Sequence, residues 1–224
     1  MNGFHKIEQK LEHFIRRYYL SALLKGLLLF FTIGALYALL LLSLEHFFWL
    51  DSFGRLFLFW GVFVFEAVLF YRLIFIPLAK YFKIQKGINF ETASKIVGAH
   101  FPEVKDKLLN VLQLNKQSEH TEFLLASIEQ KSKNLSLIPF KSAVSFKKNL
   151  KYLWYASAPI LIVFLFIIFG KQAVFTDSLK RVVNYNIAYT PPAPFEFFIM
   201  NTNLEAIENT SFTLVAKTVG SVVP

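Results

Sequence analysis

The sequence predicts a mainly α-helical membrane protein, with three transmembrane helices, a small helical domain in the cytosol and the start of a β-sandwich region on the far side of the membrane. Three observations carry that prediction. The 224 residues are 55% hydrophobic and only 17% charged, with 27 Phe and a mean hydropathy of +0.46, which is too apolar for an ordinary water-soluble fold. Three stretches of span length carry almost no ionisable side chains. The C-terminal residues instead alternate apolar and polar side chains as strands do. The same composition excludes disorder. With no Cys in the chain there is no disulfide framework, thiolate metal site or cysteine nucleophile.

Residues 1–25 read as an amphipathic helix, because Phe4, Ile7, Leu11, Phe14 and Tyr18 recur at three- and four-residue steps. Its bases Lys6, Lys10, Arg16 and Arg17, with Lys25 at the end, are candidate contacts to anionic lipid headgroups. Such a helix lies in the inner headgroup layer. Packing of the apolar stripe on the protein's own cytosolic domain is the alternative expectation.

The hydrocarbon core is about 30 Å thick and needs roughly 20 helical residues to cross. Gly26–Leu44 supplies the first span, closed by Glu45, His46 and the aromatic run Phe47, Phe48 and Trp49. Leu56–Ile76 supplies the second, between Arg55 and Lys80, and residues 26–78 form a hairpin. Leu153–Phe169 supplies the third, within residues 152–170, with Trp154 and Tyr155 where interfacial aromatics sit. Pro159 near its start is tolerated in a span and marks a kink. The first apolar stretch is 19 residues long, against about 7 to 15 for the apolar core of a signal peptide, so it is read as a retained span.

Loop charge sets the orientation. The segment through Lys25 holds five Lys or Arg and two Glu, and residues 79–151 hold 13 Lys against six acids. Beyond the third span the count is four bases to four acids. Lys and Arg accumulate on the cytoplasmic side, which places the N-terminus and residues 79–151 inside and Lys171 onward outside.

Within 79–151 three helices are expected. Asn89 caps the first, through about Ala99. Pro102 stands in the first turn of the second, with Val104, Leu108, Leu109, Val111 and Leu112 as its stripe. Ser118 caps the third, whose Phe123, Leu124, Ile128 and Leu135 share a face and which ends before Ile138-Pro139. This is a small bundle, marginal unless it docks on the membrane or a partner. Its Lys surplus lacks the clustered Arg and interleaved aromatics of a nucleic-acid surface, so no nucleic acid is expected as a partner. Residues 171–194, with Pro191, Pro192 and Pro194 at the end, read as a linker. From 195, Phe195-Glu196-Phe197 and Phe212–Lys217 read as strands of an incomplete sandwich domain, from which a longer natural chain is expected.

Glu66 is the sharpest candidate for chemistry. It falls at the middle of the second span, where a carboxylate costs a few kcal/mol on insertion scales. The antiparallel first span offers Gly34, Tyr37 and Ala38 at that depth, with the Tyr37 hydroxyl as a donor to Glu66 and the small pair Gly34 and Ala38 allowing close approach. Glu66 then serves as a proton site, as a docking point for another subunit, or as a protonated acid hydrogen-bonded inside the hairpin. A lone acid without a second ionisable group at its depth favours the last two. Arg72, about 240° further round the helix, snorkels to the boundary. His5, His13, His46, His100 and His120 show no ligand spacing, and no phosphate loop, dinucleotide turn or nucleophile elbow is present. No catalytic, cofactor-binding or metal-binding residue is expected, and no cofactor. Asn134-Leu135-Ser136 and Asn209-Thr210-Ser211 match the glycosylation pattern only weakly.

The stretches IQKGINFETASKIVGAHFPEVKDKLLNVLQL from Ile84, LLASIEQKS from Leu124, IPF from Ile138, and VVNY followed by PPAPF from Val182 resemble the start of a bacterial family. It is a domain-of-unknown-function family of long inner-membrane proteins, of the DUF4175 type. The resemblance implies three spans near the N-terminus followed by a long periplasmic region, here Ig-like, and brings no catalytic residues. Together these features predict a non-enzymatic inner-membrane anchor or scaffold subunit of an envelope complex. Its expected partners are membrane lipid and a second copy or other inner-membrane or periplasmic subunits. A proton-coupled transport or motor subunit using Glu66 is the alternative.

Overall fold

A computed structural model describes residues 2–115, 122–191, 195–205, 208–209 and 211–220. The expected cap Ser118, the linker residues Pro192 and Pro194, and the side chains of Phe123 and Leu124 lie outside the described residues.

The chain opens with one helix, α1 (Asn2–Phe48), of 47 residues. At 1.5 Å per residue it is about 70 Å long. The boundary expected at Lys25 is therefore not a break. Residues 20–25 are Leu, Ser, Ala, Leu, Leu and Lys, mostly strong helix formers, and Gly26 alone does not interrupt them. After a short turn capped by Asp51, whose side chain accepts from the Gly54 N–H at 2.7 Å, α2 runs over Ser52–Phe70. A π-helical turn, Tyr71–Phe75, joins it to α3 (Ile76–Tyr81). Pro77 explains the turn: it lacks an N–H, and its ring clashes with the carbonyl four residues back, at Leu73. The backbone widens instead, and the Ile76 N–H bonds to the Tyr71 carbonyl five residues back.

Next come α4 (Phe90–His100), a 3₁₀ turn at Pro102–Val104, α5 (Lys105–Leu114) and α6 (Glu122–Leu135). Asn89 caps α4 as expected, accepting from the Thr92 N–H at 2.8 Å. Short 3₁₀ turns at Phe140–Ala143 and Phe146–Asn149 lead into α7 (Leu150–Ile168), which passes through Pro159. Gly170, at φ 63°, closes it with the Lys171 N–H on the Phe166 carbonyl and the Gly170 N–H on the Ile167 carbonyl. Only a residue free to adopt left-handed φ makes this C-terminal motif cheaply.

Two sequence expectations change here. The stretch expected as a linker from 171 carries an amphipathic helix, α8 (Ala173–Val183), with Val174, Ser178, Arg181 and Val182 buried at helical spacing. At the C-terminus, β1 (Phe195–Ile199) pairs antiparallel with β2 (Ala216–Gly220), Phe197 opposite Thr218. The second strand thus starts four residues later than Phe212. At the next rung the Met200 N–H still donates to the Val215 carbonyl at 2.9 Å, and the Asn201 side chain supplies the rest, accepting from the Val215 N–H at 2.7 Å and donating to the Thr213 carbonyl at 2.8 Å. Local alternation could not register this side-chain substitution for the ladder.

The buried core gathers around the N-terminal third of α1. Ile7, Leu11 and Phe14 are fully buried against α4, α5 and α6, where Val97, Leu108 and Leu135 are equally enclosed, and Phe140 closes one end. The apolar stripe of residues 1–25 is thus the fourth helix of the domain, and it supplies the core that three helices lacked. Further along, α1 packs against α2 and α3 on one side and α7 on another, and near its end it meets α8. Three helical stretches, Gly3–Phe48, Ser52–Tyr81 and Phe140–Ile168, are long and apolar enough to cross a membrane.

Candidate functional site

Three places combine polar chemistry with built geometry. The first is the contact around Glu66. Its carboxylate lies against the backbone of Gly34, so close that a Cβ there would overlap Oε1 and fall 2.8 Å from Oε2. The absence of a side chain on Gly34 is what admits the acid. Tyr37 does not join it. Its ring stacks on Phe65, with centroids 4.0 Å apart, and its hydroxyl points toward Gly61. Among the described residues no hydrogen bond links Tyr37 to Glu66. Ala38 faces elsewhere, into an apolar groove of about 480 Å³ between α1 and α7 that Ala35, Pro159 and Phe164 also line. The small residues of α1 therefore serve two neighbours. Gly26 serves the same purpose lower down, since a Cβ on it would overlap the Leu73 carbonyl freed by Pro77.

The second place joins two consecutive helices, α1 and α2, to the distant α8. At the end of α1, Glu45 is fully buried, and its Oε1 accepts from Arg55 Nε of α2 and from Arg181 Nε of α8, each at 2.8 Å. Arg55 is also fully buried. Its guanidinium sits over the Tyr189 ring at 5.1 Å, and Nη1 donates to the Ile187 carbonyl at 3.3 Å. Arg181 donates from Nη2 to Ser178 Oγ at 3.1 Å and lies over the Trp49 ring at 4.2 Å. Trp49 adopts a φ of 44°, uncommon for a bulky residue, and this turn between α1 and α2 is what brings its indole onto Arg181. One carboxylate thus holds two guanidinium groups in a desolvated joint, where charge-assisted hydrogen bonds are strong and a missing partner is costly.

Sequence reasoning missed this cluster. Glu45 and Arg55 entered only as residues bounding the first two apolar stretches, and Arg181 lies 136 residues from Glu45. The one available signal was the pairing of Ser178 and Arg181 with Val174 and Val182 at helical spacing.

The third place is a basic pocket of about 460 Å³ where the end of α3 meets α1. Arg16, Lys80, Lys83 and Lys86 line it, with Glu12 as the acid. Lys83 pairs with Glu12 at 2.8 Å, and the hydrogen bond from its ammonium holds the Glu12 carboxyl below the usual range. Tyr19 holds the backbone behind the pocket: its hydroxyl accepts from the Ile88 N–H at 2.7 Å, and a Cβ on Gly87 would fall 3.0 Å from the edge of its ring.

The remaining headgroup candidates are placed differently. Lys10 donates to the carbonyls of Ser136 and, at 3.0 Å, Ile138, closing the C-terminal end of α6. Arg17 lies over the Phe146 ring at 5.0 Å and Lys25 over the Tyr152 ring at 5.1 Å. Lys6 is exposed beside Lys10 and Lys141. Arg72 is exposed in the π-helical turn. Among the described residues no three His, Asp or Glu side chains converge as a metal site requires. The chain matches no family model, no curated protein and no solved structure.

Proposed function

We propose that the chain is a membrane anchor or scaffold subunit that ties a cytosolic helical domain to a β region on the opposite face of a bacterial inner membrane. The observation that carries the proposal is α1. One unbroken helix has Ile7, Leu11 and Phe14 in the domain core and Glu45 in the buried ion cluster. From Phe14 to Glu45 is 31 residues, or about 46 Å, enough to cross the hydrocarbon layer and reach both surfaces. On the helices packed beside α1 the apolar side chains point outward: Phe57, Phe63 and Val64 of α2 and Phe164 of α7 are each more than half exposed. In water such a surface would aggregate, whereas lipid satisfies it.

On this reading the Lys-rich domain lies inside, following the positive-inside rule, and α8 is the collar that seats the external segment on the hairpin. The polar clusters are joints between elements, as a scaffold requires. Purified in mild detergent, the protein brings down a stoichiometric partner or a second copy; a clean monomer counts against the proposal. Protease accessibility near Lys105 on the external side would overturn the orientation.

A proton-coupled role for Glu66 is the second reading, favoured by one observation: its carboxylate has no hydrogen-bonding partner among the described residues. Glu66→Gln separates the two. A relay loses activity without a titrating group, and a packing role against Gly34 tolerates the isosteric amide.

A further inference from the structure

We infer that the basic pocket between α1 and α3 binds the phosphate of an anionic phospholipid headgroup, an inference that rests on the membrane reading above. Four cations line the pocket, Arg16 from α1, Lys80 from α3, and Lys83 and Lys86 from the connection between α3 and α4, against one carboxylate. That carboxylate, Glu12, is already engaged by Lys83, which leaves Arg16, Lys80 and Lys86 without an ion pair among the described residues. The pocket follows directly on the last turn of the second span-length helix, so it lies at headgroup depth when that helix crosses the bilayer.

The neighbouring side chains select lipid over a soluble anion. Phe82 is 63% exposed and Ile84 77% exposed, on the same connection as Lys83 and Lys86. Bulky apolar side chains alternating with lysines have no use in water, but at an interface the rings and branched chains enter the acyl boundary while the ammonium groups meet phosphate. Gly87 against the Tyr19 ring, together with the Tyr19–Ile88 hydrogen bond, fixes the backbone that carries these residues. The site is therefore built on packed elements. Three unpaired cations around a phosphate also give a local field that a single lipid-facing lysine cannot.

The test uses the full chain in detergent micelles, titrated separately with phosphatidylglycerol and phosphatidylcholine, with retained lipid counted by intact-complex mass spectrometry. The wild type retains phosphatidylglycerol in preference. Each base near an anionic surface is worth about fivefold, so Arg16→Gln, Lys80→Gln and Lys86→Gln together lower that preference by roughly a hundredfold. A control triple in the helical domain, Lys105→Gln, Lys107→Gln and Lys131→Gln, leaves it unchanged. Phe82→Ser with Ile84→Ser weakens retention of the lipid. A triple pocket variant that keeps the wild-type preference overturns the site. Displacement of phosphatidylglycerol by millimolar inorganic phosphate would overturn lipid as its occupant. Extraction of the wild type from membranes by alkaline carbonate would refute the membrane reading itself and is scored separately.

Discussion

Replacing Glu45 with Gln tests the ion cluster most directly. The side chain keeps its volume and loses its charge, while two guanidinium groups that it held at 2.8 Å stay buried. Removing one partner of a buried ion pair costs about 3–5 kcal/mol. Gln retains one carbonyl acceptor, so the lower end applies, about 3 kcal/mol, or roughly a hundredfold in the equilibrium between docked and undocked α8. The absence of Cys from the chain makes the assay clean. Val182 is buried on α8 at 6% exposure, and a Val182→Cys background reports undocking through the rate of thiol labelling, provided redocking outpaces modification. Glu45→Gln raises that rate about a hundredfold, and Lys180→Gln, on the exposed face of α8, changes it less than about twofold. Removing all three charges together, with Glu45→Leu, Arg55→Met and Arg181→Met, restores much of the protection, because no uncompensated charge remains. A Glu45→Gln rate within about threefold of the parent would refute the reasoning, since it would mean the carboxylate holds nothing that matters.

The close contacts of the hairpin make a paired prediction: Gly34→Ala lowers resistance to denaturing detergent by overlapping the Glu66 carboxylate, and adding Glu66→Ala restores it. Gly26→Ala destabilises without such rescue, because its Cβ meets a backbone carbonyl that cannot move aside, and a shift in helical signal on titration with dodecyl sulfate reads this. Asn89→Ala removes the cap on α4 and costs about 1 kcal/mol in urea unfolding of the helical domain within the full chain. Leu108→Ala, at a fully buried position, costs about 2–5 kcal/mol in the same measurement.

What could be read from the sequence was whatever depends on near neighbours. The three helices apolar enough to span a membrane follow from composition over some twenty residues, the α4 cap from Asn89 and its third neighbour, and the core faces of α5 and α6 from spacing. The faces of α1 needed more. Periodicity identified the stripe Ile7, Leu11 and Phe14 but not its covering, since a lipid surface and a neighbouring domain ask for the same pattern. The Glu66 environment was half legible: Gly34 does lie against the acid, and the Tyr37 hydroxyl went elsewhere because its ring packs on Phe65. The joint of Glu45, Arg55 and Arg181 was not legible at all. Its members come from three helices, and α8 buries Ser178 and Arg181 where a stripe is normally recognised by apolar residues alone.

The length of α1 without a break has a geometric consequence. At about 100° per residue, the 34 steps from Leu11 to Glu45 leave the two side chains about 160° apart in azimuth. The domain and the collar therefore grip nearly opposite sides of a single shaft, and their relative bearing is set by the residue count between them. Inserting one residue in the apolar stretch would swing one grip by about 100° about the axis, whereas inserting eighteen, five complete turns, would lengthen the shaft by about 27 Å and leave the bearing untouched.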